Sequence, residues 1–330
     1  MRFLPDKFTS MLLATILLAS FLPVEGKFEV WFAQATKIAV GLLFFLHGAR
    51  LSREAVIAGL THWRLHLVVL LSTFVLFPIV GLVAGWTIPG LAQSAFYTGT
   101  LFLCVLPSTV QSSIAFTSIA HGNVSAAIVS ASASNIFGMF LTPLLAGLIF
   151  AVKGGGGISF GALESILLQL LAPFILGQIL QPWIGNFMRR HNKALSFVDR
   201  GSILMVVYLA FSEAVAEGLW HTVSWHDLGM MVAVNLLLLV TVLLATWYGS
   251  KWLGFNHPDR ITIMFCGSKK SLASGAPMAS AIFAGANVGA IVLPLMLFHQ
   301  IQLMACAVIA RKLAAHRVDA HAGNTSATAG

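Results

Sequence analysis

Residues 103–132 read LCVLPSTVQSSIAFTSIAHGNVSAAIVSAS, and residues 264–295 read MFCGSKKSLASGAPMASAIFAGANVGAIVLPL. Each stretch opens with an apolar lead-in, meets a small polar patch containing a proline, and resumes as a helix. Each then passes a short link into another helix: Gly122–Val124 in the first, and Gly285, Asn287 and Val288 in the second. Two interrupted apolar helices at matching positions predict a chain built from two similar halves.

The rest of the chain fits that frame. It is 58% hydrophobic and 9% charged, where an average soluble domain carries about 25% charged residues. Apolar stretches of about 20 residues recur, each long enough to cross the hydrocarbon of a bilayer. They are continuously apolar and do not alternate, which excludes a barrel of strands. The expected fold is therefore an all-α polytopic membrane protein. Ten spans are predicted, near 9–23, 31–49, 64–87, 94–120, 123–152, 159–184, 200–218, 226–253, 260–284 and 288–312. Five spans per half means that the halves insert with opposite orientation. Residues 1–153 would form the first repeat and 154–313 the inverted second, with the GGGG run at 154–157 between them. Residues 314–330, small and polar, read as a disordered cytoplasmic tail. The first span also has the basic start and short apolar core of a secretory signal. Pro23 and Val24 sit where a small-residue cleavage site belongs, so an uncleaved helix is expected.

Charge sets the topology. With ten spans, one side receives Arg50, Arg64, Arg189, Arg190, Lys251, Arg260, Arg311 and Lys312 among others, while the opposite side receives only Lys27 and Lys153. The positive-inside rule then puts both termini in the cytoplasm, and a compact chain without long insertions leads to the expectation of a bacterial inner (plasma) membrane. The formal charge of +8 reports this topology and lipid contact, and no nucleic-acid partner is expected. Cys104, Cys266 and Cys306 lie inside apolar segments without metal spacing and read as buried thiols.

The polar groups at membrane depth are the candidate site. Around the first break these are Thr109, Gln111, Ser112 and Ser113, followed in the next span by Ser130, Ser132, Ser134 and Asn135. Hydroxyls and amides suit a hard cation, so Gln111, Ser113, Ser130 and Asn135 are a candidate sodium set; small hydroxyl residues also permit close helix packing. The second break offers Ser268, Lys269, Lys270 and Ser271. Each buried lysine costs about 2.5–3.5 kcal/mol even by translocon insertion. Glu213 in the seventh span is the deep carboxylate expected to answer them, with Glu217 nearer a solvated helix end. His299 and Gln300 in the tenth span could line the same space, whereas His47 reads as interfacial. No nucleophile elbow, zinc motif or phosphate loop is present, so neither an enzyme nor an ATP-driven pump is expected.

Several of these stretches resemble the bile acid/sodium symporter family: GLLFFLHGARLS (41–52), LLAPFILGQILQPWI (170–184), and the pattern FC-x-x-x-KSL-x-x-G-x-P from Phe265 to Pro277. That last pattern is similar to the family's orphan branch, the sodium/bile acid cotransporter 7-like proteins. The resemblance implies a core domain in which broken helices four and nine cross. It also implies a panel domain of spans one, two, six and seven. In sodium-coupled members the second break resembles E-x-G-x-Q-N-S. Here those acidic and amide positions are Phe265, Lys269 and Lys270. The resemblance thus implies a secondary transporter for an organic anion, with no resident cofactor. Its coupling ion would be sodium or a proton, with an intramembrane lysine weakening or replacing sodium. A membrane sensor that kept the fold would need a soluble domain to signal through, and none is visible between these short loops. The oligomeric state is not legible.

Overall fold

The computed structural model describes residues 7–50, 62–94, 96–152, 160–216, 218, 223–283 and 288–327. These are helical, and no strand occurs among them. The elements are α1 (Lys7–Phe21), α2 (Gly26–Arg50), α3 (Trp63–Thr87), α4 (Tyr97–Val105), α5 (Gln111–Ile119), α6 (Val124–Val152), α7 (Phe160–Arg190), α8 (Asn192–Ala216), α9 (Trp225–Trp252), α10 (His257–Gly267), α11 (Leu272–Ile282) and α12 (Val288–Ala327).

Among the described residues, seven helices can cross a membrane by length and composition: α2, α3, α9, and the apolar stretches Val124–Phe150 of α6, Leu168–Met188 of α7, Ala194–Ala216 of α8 and Val288–Ala315 of α12. The other three expected spans take different forms. The first is the 15-residue α1. The fourth and ninth are pairs of short helices, α4/α5 and α10/α11, parted by non-helical residues. Two sequence expectations lie outside the described residues, namely the GGGG linker and the Gly285–Asn287 part of the second link; Glu217 lies outside them as well. α12 runs to Ala327, past residue 314, where the tail is expected to begin.

Why the long helices stand in lipid is visible on their surfaces. Leu67, Leu71, Val75, Ile79 and Val83 of α3 are all exposed, as are Val232, Leu236, Val240 and Leu244 of α9. Tryptophans mark the ends of both helices: Trp63 and Trp86 on α3, Trp225 and Trp252 on α9, each more than 60% exposed. At a rise of 1.5 Å per residue these pairs are about 35 and 40 Å apart along their helices, which spans the hydrocarbon with its interfaces.

The helices assemble as two layers. α1, α2, α7 and α8 pack on one another, and α3–α6 with α9–α12 form the larger group. Within the first layer α2 and α7 meet backbone to backbone. A Cβ at Gly48 would lie 2.1 Å from the Phe174 carbonyl, and one at Gly177 would lie 2.1 Å from that of Phe45. Glycine is required at both, as is usual where membrane helices approach closely. The Gln178 amide donates to the Gly48 carbonyl across this seam. α1 is tied to α8 by the Tyr208 hydroxyl, which donates to the Leu22 carbonyl at 2.6 Å. α8, α11 and α12 join the layers.

Candidate functional site

The two breaks touch. Pro107 follows the last turn of α4, where Leu106 is extended; α10 ends at Ser268, and α11 is capped by the Ser271 hydroxyl, which accepts from the Ser274 N–H. The Ser271 N–H donates to the Pro107 carbonyl at 2.9 Å. The Ser108 hydroxyl donates to the Cys266 carbonyl at 2.6 Å, and that of Ser113 to the Phe265 carbonyl at 3.2 Å. Backbone groups freed by each interruption are thus satisfied by the other. α6 supports the crossing from behind. The Ser134 hydroxyl accepts from the Ser108 N–H, the Asn135 amide donates to the Ser108 carbonyl, and its oxygen accepts from the Ser274 hydroxyl.

Lys270 is fully buried, and it lines neither of the two cavities that flank the crossing. It donates to three backbone carbonyls: Thr73 at 2.7 Å, Cys104 at 2.7 Å and Leu106 at 2.8 Å. The last two belong to the C-terminal end of α4, the negative pole of that helix. The first exists because of Pro78. α3 makes a π-helical turn over Ser72–Leu76, so the Phe77 N–H reaches back to the Ser72 carbonyl. Pro78 has no N–H to offer the next carbonyl, which leaves the Thr73 oxygen to the lysine. Phe77 places its ring 4.2 Å from the same ammonium.

Lys269 is as buried and also faces aromatic rings, but it differs in its hydrogen bonding. Its ammonium has no hydrogen-bond partner among the described residues. It sits 3.9 Å above the ring of Phe116 and 5.7 Å from that of Phe265. The expectation that Glu213 answers these lysines does not hold in this geometry. Carbonyls and aromatic faces surround the two ammonium groups, while Glu213 lines a cavity on the far side of the crossing.

Two cavities flank the crossing along the same three helices. The inner one, about 240 Å³, is lined from α2 by Leu43 and His47, from α8 by Ser196, Asp199, Arg200 and Ile203, and from α11 by Ala273 and Ser274. Thr109, Gln111, Ser112, Asn135, Ser271 and His299 also line it, beside the apolar Phe8, Val110 and Leu303, so six expected site residues converge there. His47, expected at an interface, lines this cavity instead. The outer one, about 290 Å³, uses the other ends of those helices: Thr36, Lys37 and Val40 of α2, Leu209 and Glu213 of α8, Pro277 and Ser280 of α11. Between Val40 and Leu43, or between Ser274 and Pro277, the partition is three residues of helix, just under one turn and about 4.5 Å along the axis.

The remaining expected residues lie elsewhere. The Ser268 hydroxyl donates to the Met264 carbonyl within α10. Ser132 and Gln300 are half-buried and line neither cavity. Of the four residues expected to hold sodium, Ser130 is turned toward α3, where its hydroxyl meets His66 Nδ1 at 2.7 Å. Ser113 bonds Thr109 and the Phe265 carbonyl, and the Asn135 amide bridges the breaks as described. Only Gln111 and Asn135 of the set reach the inner cavity. Sequence reading passed over Gln302, which is fully buried beneath Lys270. Its spacing three residues from His299, on one helix face, was the available signal. The Arg50–Asp199 ion pair between α2 and α8 was likewise not anticipated.

The model of the SBF-like CPA transporter family matches residues 6–315 of this chain. An uncharacterized protein of Pseudomonas aeruginosa is 56% identical over 322 residues, covering 97% of this chain and 96% of its own length. The Escherichia coli protein YfeH, which carries the name of a proposed symporter, is 54% identical over 307 residues, 93% of this chain and 92% of its own. Sodium/bile acid cotransporter 7 of Xenopus tropicalis is 27% identical over 293 residues, covering 83% and 80%.

Proposed function

The chain belongs to the SBF-like CPA transporter family, and on that premise we propose that it is a secondary active transporter in which Lys270 stands where a coupling cation would bind. It crosses the membrane ten times as two inverted repeats, with both termini in the cytoplasm, and works by alternating access. The observation that carries this reading is the pair of cavities above and below the crossed breaks. They share α2, α8 and α11 and are parted by about one helical turn, so a small movement of one layer against the other can close one and open the other. The broken helices stay assembled in both states because the Lys270 ammonium holds the α4 end and the α3 carbonyl together without an ion. The inner cavity suits an organic anion, since its wall carries Arg200 with two imidazoles, while Asp199 is already paired with Arg50.

Side-specific thiol labelling tests the two-cavity arrangement. Ala273→Cys and Ser280→Cys, one in each cavity, are exposed to a membrane-impermeant reagent in vesicles of both orientations. The native cysteines are fully buried, so background is low. We expect Ala273→Cys to react from the cytoplasmic face and Ser280→Cys from the opposite face. Reaction of both from one face alone contradicts alternating access through these cavities.

A further inference from the structure

Gln302 holds the second break from below, and its hydrogen bonds leave no ambiguity about its orientation. The Lys270 N–H can only donate, so the amide atom 2.9 Å from it is the oxygen. The other amide atom is therefore the NH2 group, which donates to the Lys270 carbonyl at 2.8 Å. Its second proton faces His299 Nδ1 at 3.0 Å. That nitrogen must present a lone pair, which puts the proton of the neutral ring on Nε2. A second proton on the ring can go only to Nδ1, where it would set N–H against N–H. Gln302 cannot respond by turning over, because its NH2 group would then meet the Lys270 N–H. One of the contacts has to break.

We propose that His299 is the proton-binding site of the inner cavity, and that Gln302 is a positioning residue that passes its protonation state to the backbone at Lys270. The inference rests on the transport reading and names the proton as its coupling ion. A hydronium ion in the cavity gives its proton to the His299 Nδ1 lone pair, an N–H bond forming as an O–H bond breaks, and leaves as water. Gln302 swings away with its amide and gives up its bonds to Lys270, and the latch under the crossing is released. His299 faces the space from which that proton comes, with His47 from α2 and Asp199 and Arg200 from α8 on the same wall. The other elements packed on α12 are α4, α5, α9 and α11. α5 and α11 carry no acid or base, and α4 carries only Tyr97 and Cys104. His226, Asp227, Tyr248 and Lys251 of α9 are confined to its end turns. From the break itself come Lys269 and Lys270, the latter with its ammonium turned to α3 and α4.

Amide hydrogen exchange of the full chain in lipid nanodiscs tests this, read on peptides covering 266–275 and corrected for chemical exchange. Between about pH 8 and pH 5.5, across the imidazole range, we expect exchange at the wild-type break to accelerate about tenfold, the effect of losing one buried hydrogen bond. His299→Asn places an acceptor near the Nδ1 position without an acid, so exchange should stay slow at both pH values. Gln302→Leu should exchange fast at both. A flat wild-type profile overturns the proposal, as does a pH step that survives in His299→Asn. Should Gln302→Leu fail to fold, the His299→Asn comparison decides alone. These peptides report the amide latch, whereas the sodium response of the Lys270 cluster, taken up in the Discussion, reports the ammonium; either can fail without the other.

Discussion

Lys270→Met is expected to lower the melting temperature by roughly ten degrees or more. Methionine keeps the length and apolar stem of the side chain, so little volume is lost. What goes is the donor to the Thr73, Cys104 and Leu106 carbonyls, all buried. A buried acceptor left without a partner costs on the order of 1–3 kcal/mol, so three together cost about 3–9 kcal/mol, a large share of the usual stability of a fold. At the scale of a few degrees per kcal/mol for chains of this size, that is readily seen in a thermal melt. An unchanged melting temperature would mean that the carbonyl cluster does not need the lysine, and the built-in cation would lose its structural basis.

The neighbouring substitution should act in the opposite direction. Lys269→Met is expected to raise the melting temperature by several degrees. The Lys269 ammonium is fully buried, and no hydrogen bond holds it among the described residues. Contact with Phe116 returns about 0.5–2 kcal/mol as a cation–π interaction, whereas desolvating an unpaired charge costs several. Methionine fills the same space between Phe116 and Phe265 without that cost. Stability held back in this way is typical of groups kept for function. A fall as large as that of Lys270→Met would show that Lys269 has a stabilising partner, and the contrast between the two lysines would collapse.

How far the sequence carried the reading can be traced residue by residue. Proline and glycine weaken a helical ladder. Pro107 and Gly267 stand at the breaks, just past the end of α4 and at the last residue of α10, whereas Gly275 and Pro277, which suggest a break by the same logic, lie inside α11. Ser271 was legible as a site residue, although its first role is to cap α11. The direction of Lys270 was not legible. It depends on a π-turn in α3 that Pro78 provokes, some 190 residues earlier, and hydropathy does not register which carbonyl a proline strands. Glu213 was matched with the lysines by depth alone. Depth along a span does not tell which side of a crossing a residue faces, and α8 carries Glu213 to the outer cavity. His299 and Gln300 stand out in the sequence as polar residues at mid-span, and Gln302 does not. Helical periodicity favours the residue three positions on, which shares the face that looks at the break. The sodium set failed to assemble for a similar reason: Ser130 and Asn135 are five residues apart and point to different neighbours of α6.

The most direct test of Lys270 as a resident cation is a thermal melt of the wild type and of Lys270→Ala, in sodium and in choline chloride at equal ionic strength. Alanine opens the space beside the Thr73, Cys104 and Leu106 oxygens, a donor set that suits a hard monovalent ion, and an ion that binds only the folded state raises its melting temperature by mass action. The account predicts no sodium-specific rise in the wild type and a clear one in Lys270→Ala. A sodium-specific rise in the wild type that is absent from the variant would contradict it.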